Sequence, residues 1–182
     1  ARVVFVDYIQ KLSQQEGALN AEPYLAFGEF MLLHGRPEWG IAAIRQAARF
    51  QDPKTHSVDL ALGDVLLARG MFPEAETAYR AVIDAGVPDP DLRIHKRLIE
   101  SLIQQGKSAE AEKMFVDLGD RADADVELMA QRAQLAHQSG DLRKCREILD
   151  RAVSKFPEEP LPYLRRARLN MLMPGLDNDA IA

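Results

Sequence analysis

Residues 56–90 read HSVDLALGDVLLARGMFPEAETAYRAVIDAGVPDP. Two amphipathic stretches meet at Gly70. Leu62 and Leu66 precede it, and Ala75, Tyr79 and Val82 follow, at the three- and four-residue spacing of a helix face. Glycine suits the junction because it takes positive φ without a steric penalty. The stretch therefore predicts a helix, a tight turn and a second helix. Val87-Pro88-Asp89-Pro90 then stops the second helix.

The pattern repeats outward in both directions. Gly35, Gly70, Gly106 and Gly140 are 35, 36 and 34 residues apart, and a further step of 34 reaches Pro174, beside Gly175. A fixed period in this range marks a helical repeat. Seven residues before each turn stand Gly28, Gly63, Ile99, Ala133 and Ala167. Five after stand Gly40, Ala75, Ala111 and Cys145. Most are small, as two closely approaching helices require. Nine after are Ile44, Tyr79, Phe115 and Leu149, all large. Four before are Met31, Leu66, Leu102 and Ala136, and twelve after are Ala47, Val82, Leu118 and Ala152. Asp52-Pro53 and Phe156-Pro157 also end second helices, while Pro23 and Pro162 sit near the starts of first helices.

These residues carry a resemblance to the tetratricopeptide repeat. Leu62-Gly63, Leu66, Gly70, Glu74-Ala75 and Tyr79 are similar to its pattern, as are Gly140-Asp141-Leu142, Cys145, Leu149, Ala152 and Pro157. Three places depart from it: Ile99 takes a small seat, Arg132 an apolar place, and Trp39 sits beside Gly40. The resemblance implies an all-α fold, a right-handed solenoid of antiparallel helix hairpins. The hairpins are expected over 21–52, 56–87, 92–120 and 126–157. Residues 1–16 are expected to be the second helix of a truncated unit, and 161–182 a truncated fifth unit whose first helix is 161–173. No polar capping helix is evident at the C-terminus. A piece of a longer array, able to self-associate through its exposed ends, is the expectation.

Composition limits the function. The 182 residues carry 23 basic and 28 acidic side chains, a net charge of −5. Phosphate neutralisation needs clustered Lys and Arg, so this balance opposes nucleic-acid binding. The pentatricopeptide family, which shares the period and binds RNA, fits less well for the same reason. No apolar run approaches the roughly 20 residues that span a bilayer, so membrane insertion is not expected. Cys145 is the single cysteine, and His34, His56, His95 and His137 form no pair at metal-ligand spacing. No glycine-rich phosphate loop is present. The expectation is no enzyme, no cofactor and no metal. No feature assigns a compartment.

In the tetratricopeptide family the first helices line the concave face that holds partner proteins or peptides. Carried over by register, that face has Glu29, Asp64, Glu100, Gln134 and Arg168 six residues before the turns. Arg97, Gln131 and Arg165 stand nine before, Lys96 ten before, and Arg93 thirteen before. Helical spacing aligns these places on one stripe. Arg93, Lys96 and Arg97 form one basic cluster, with Glu100 one turn on, and Arg165 and Arg168 form another. A guanidinium fork suits carboxylates, so either cluster is a candidate grip for an acidic peptide. Solvated helix charges are the plainer reading. The Lys/Asn/Arg clamp of chaperone-binding members lacks its Asn here. Leu25, Leu32, Leu60 and Leu67 make an apolar strip better explained by packing against a neighbouring unit. A scaffold or adaptor that binds a protein or peptide along its concave face is therefore expected. A structural spacer or self-assembly module is the alternative.

Overall fold

Each of the four glycines ends a helix in the same way. In a computed structural model that describes residues 21–50 and 56–172, Gly35, Gly70, Gly106 and Gly140 have φ between 69° and 77°. Each donates its N–H to the carbonyl three residues back. The next residue donates five back: Arg36 to Met31 at 2.8 Å, and Met71 to Leu66, Lys107 to Leu102 and Asp141 to Ala136 at 2.9 Å. This paired arrangement satisfies carbonyls that a helix end otherwise leaves orphaned. The side chains whose carbonyls are capped, Met31, Leu66, Leu102 and Ala136, are also buried. One sequence position thus serves both the turn and the core.

All regular structure among the described residues is helical. In chain order it comprises α1 (Glu22–Leu33), α2 (Pro37–Ala47), a 3-10 turn (Ala48–Phe50), α3 (Ser57–Ala68), α4 (Phe72–Asp84), α5 (Arg93–Gln104), α6 (Ser108–Leu118), α7 (Asp120–Asp123), α8 (Val126–Gln138), α9 (Leu142–Lys155) and α10 (Pro160–Leu172). The helices expected at 1–16 and beyond 172 lie outside the described residues. The one-turn helix α7 was not expected. It follows Gly119, whose φ of 53° breaks the chain direction after α6.

Contacts divide the chain into two compact units, Ala1–Ser101 and Leu102–Ala182. In the first, α1 packs on α2, α3 on α4, and α2 on α3. The small seats work as close-approach points. A Cβ on Gly28 would lie 2.6 Å from Cγ1 of Ile44, and one on Gly63 would lie 2.7 Å from the Tyr79 ring. Gly40 would meet Leu32 at 2.6 Å, so Leu32 of the apolar strip packs within its own hairpin. Leu25, Leu60 and Leu67 are half-buried. The Arg69 guanidinium donates to the Leu32 carbonyl at 3.2 Å, tying α1 to the next hairpin.

In the second unit, α8 packs on α9, and α10 packs on both. Met129, Ala133, Ala136, Cys145, Ile148, Leu149, Ala152 and Leu169 form its core, with Leu142 and Phe156 against it. Two repeat places behave differently from the rest: Leu118 is half-buried and Ala167 is exposed. Arg132 fits its apolar place through its surroundings. It pairs with Glu112 at 3.1 Å and Asp123 at 3.7 Å, and lies 5.7 Å from the Phe115 ring centre. Trp39, beside Gly40 rather than on the seat, is 43% exposed.

Candidate functional site

The residues of the first-helix stripe have different surroundings in the two units. In the first unit, Asp64 on α3 faces Arg93 and Arg97 on α5. Arg93 Nη2 is 2.6 Å from Asp64 Oδ2, and Arg97 Nε is 3.9 Å from Oδ1. Arg97 Nη1 also lies 3.3 Å from Glu100 Oε2. Burial alone would lower the Arg97 pKa, but Glu100 and Asp64 outweigh it and raise it. Lys96 is half-buried beside them. The positive charge of this cluster is therefore answered in place. Glu29, on α1, is exposed.

Tyr79 completes that network. Its hydroxyl donates to Asp64 Oδ1 at 2.8 Å. Burial first, and then this hydrogen bond to a carboxylate, push the phenol pKa well above its ordinary value. The sequence pattern treats Tyr79 as one of four large knobs. Its polar tip is the signal that sets it apart from Ile44, Phe115 and Leu149, because a buried tyrosine hydroxyl needs a partner.

In the second unit, the stripe residues of two successive first helices line one cleft of about 230 Å³. Gln134 comes from α8, and Arg165 and Arg168 from α10. His137 and Gln138 of α8 join them at the mouth. The floor is Ala130, Ala133, Cys145, Leu149 and Leu169, each no more than 3% exposed. Arg165, Arg168, His137 and Gln138 are exposed, and Gln134 is half-buried. The cleft is thus an apolar slot with a polar, cationic rim. Gln131, on the same helix, is half-buried but does not line it. Burial first, then nearby Asp141, raise the Cys145 thiol pKa, which keeps it a neutral floor group.

The sequence marks His137 only as a histidine outside any metal-spaced pair and Cys145 as a small seat between helices, and it does not single out Gln138. Helical spacing puts His137 three residues after Gln134 and so on the same face. Their convergence with α10 depends on how the third helix lies across the hairpin, which spacing does not contain.

The ion pairs of this unit lie outside the cleft lining. Glu112 accepts from Lys144 and Arg132, both at 3.1 Å. Burial would raise its pKa, but these two cations outweigh it and hold the carboxyl below its ordinary range. Arg151 pairs with Asp123 at 2.6 Å and Arg166 with Asp150 at 3.1 Å. A broader, shallower concavity on another face is lined by Asp123, Glu147, Asp150, Arg151 and Lys155, so charges of both signs mix there. No group of three or more His, Cys, Asp or Glu side chains able to hold a metal occurs among the described residues. No helix among them is long and apolar enough to cross a membrane.

Comparison with known proteins places these features. Family models described as tetratricopeptide repeat match residues 34–90, 60–124 and 126–169. No curated protein matches the sequence significantly. Among solved structures, residues 41-end of MamA from Desulfovibrio magneticus RS-1 superpose with a TM-score of 0.66 at 19% identity. That match covers 88% of this chain and 89% of the other. A double mutant of the RS-1 MamA gives 0.64 at 18%, covering 84% of each chain. YrrB, described as a TPR protein with an unusual peptide-binding site, gives 0.60 at 16%, covering 97% of this chain and 87% of its own.

Proposed function

Because the chain belongs to the tetratricopeptide repeat family, we propose that it holds a partner protein through an extended segment laid on the first-helix residues of its second unit. Proteins of this family serve generally as non-enzymatic interaction scaffolds. The cleft between α8, α9 and α10 is the principal contact. One observation carries this reading: Gln134 and Arg168, equivalent places on successive first helices, line a single slot with an apolar floor, together with Arg165 one turn before Arg168. A slot already formed on packed helices loses little ordering entropy when it is filled. The peptide-binding site ascribed to YrrB accords with this use of the fold. The basic cluster at Arg93 and Arg97 is assigned to holding α5 against α3, since its carboxylate partners lie within the chain.

Affinity capture from lysate of the source cell tests the reading. The parent chain is compared with Arg165→Glu/Arg168→Glu and with Arg93→Ala. The expected outcome is a partner retained by the parent and by Arg93→Ala, and lost by the double variant. Equal capture by all three would place the contact elsewhere. Capture of nothing would favour a structural spacer.

A further inference from the structure

We propose that the cleft of the second unit recognises an acidic peptide, seating one apolar side chain on its floor and pairing flanking carboxylates with Arg165 and Arg168. This rests on the scaffold reading above and adds the chemistry of the ligand.

The first argument is charge. Arg165 and Arg168 have no carboxylate partner among the described residues. Arg166, between them in sequence, is matched by Asp150 at 3.1 Å. The cleft lining contains no acidic residue, only these two guanidiniums, His137, two amides and apolar groups. In a chain of net charge −5, that is a local cationic site. Arginine offers a fixed donor fork to carboxylates. An acidic ligand completes it, whereas a basic one would be repelled.

Size and spacing are the second argument. About 230 Å³ lies below the roughly 300–1,000 Å³ of sites for drug-sized ligands. It suits one aliphatic side chain. Arg165 and Arg168 are one helical turn apart, so their Cβ atoms are about 5–6 Å from each other. In an extended peptide, side chains two residues apart share a face at about 6.6–6.8 Å. Acidic residues two positions to either side of an apolar one therefore share the anchor's face about 13 Å from each other, so the two long arginine side chains meet them by splaying to either side of the seated anchor.

The test is fluorescence anisotropy with a labelled nonapeptide of serine, carrying a central leucine and a glutamate two residues to either side. Three counterparts replace the glutamates by lysine, the glutamates by glutamine, or the leucine by serine. The acidic leucine peptide should bind at least about tenfold more tightly than any counterpart, and salt should weaken it. Arg165→Glu/Arg168→Glu should lose it by about tenfold or more and gain the lysine peptide. Arg143→Glu, an exposed charge of α9 outside the lining, should bind like the parent. Thermal melts of each variant confirm folding. If the glutamine peptide binds as well as the acidic one and only Gln134→Trp abolishes it, acidic recognition is overturned and the scaffold reading survives. Equal binding without the leucine would overturn the seated anchor. If no peptide binds, acidic recognition is overturned and the scaffold reading stands or falls by the lysate capture; self-association in sedimentation that the double variant abolishes would overturn both.

Discussion

Gly63 shows how much one hydrogen atom in place of a methyl group decides. An alanine Cβ there would stand 2.7 Å from the Tyr79 ring. That ring is fully buried and held at its tip by Asp64, so it has no free rotation with which to yield. Overpacking of this kind costs about 1–3 kcal/mol. The gain in helix propensity from glycine to alanine is about 1 kcal/mol. Strain outweighs propensity, and Gly63→Ala should lower the denaturation midpoint. An unchanged or raised midpoint would show that Tyr79 moves aside freely. A different reason applies at Gly70, where φ is +71° and little lies nearby. A side chain there strains the backbone, not the packing.

At the scale of the element, the start of α5 depends on a residue before it. Leu92 has φ of 56°, so the chain enters the helix abruptly. Asp89 Oδ2 reaches across to accept from the backbone N–H groups of Ile94 and His95, at 3.0 and 3.1 Å. It also lies 2.7 Å from the His95 ring. Burial would raise the Asp89 pKa, but these hydrogen bonds prevail and hold it below the ordinary 3.8. A depressed folded value means stability that is present above the unfolded value. It is lost as pH falls through the folded one. Asp89→Asn should therefore be less stable than the parent at neutral pH. In denaturant titrations the gap should narrow as pH drops below 3.8. A gap that stays constant across that range would remove Asp89 from the acid response.

For the molecule as a whole, net charge and local charge pull apart. The chain is acidic overall, and most of the cations described above are matched by neighbouring carboxylates. Polyanion binding gains from many unmatched cations acting together. The chain should accordingly give no anisotropy change with single-stranded RNA at physiological salt, while still binding a short acidic peptide at one cleft. RNA binding that weakens steeply with salt would revive the RNA-binding solenoid.

The sequence by itself determined the fold. Glycines 34 to 36 residues apart dictate where the first helices of the hairpins end, since glycine takes positive φ free of strain. Small and large residues at constant offsets dictate which faces meet. Those are local properties that period and offset express, except at α7, half-buried Leu118 and exposed Ala167, which depart from the pattern. Sequence register also put Asp64, Arg93 and Arg97 in the first unit, and Gln134, Arg165 and Arg168 in the second, at matching places on first helices, because helical spacing is fixed. It did not separate the two basic clusters. That needed distances between helices: Asp64 lies within reach of Arg93 and Arg97, whereas α10 brings Arg165 and Arg168 to a slot with no acid in it. Ion pairing falls off over a few ångströms, so residues that look equivalent in register are neutralised or available according to tertiary packing alone.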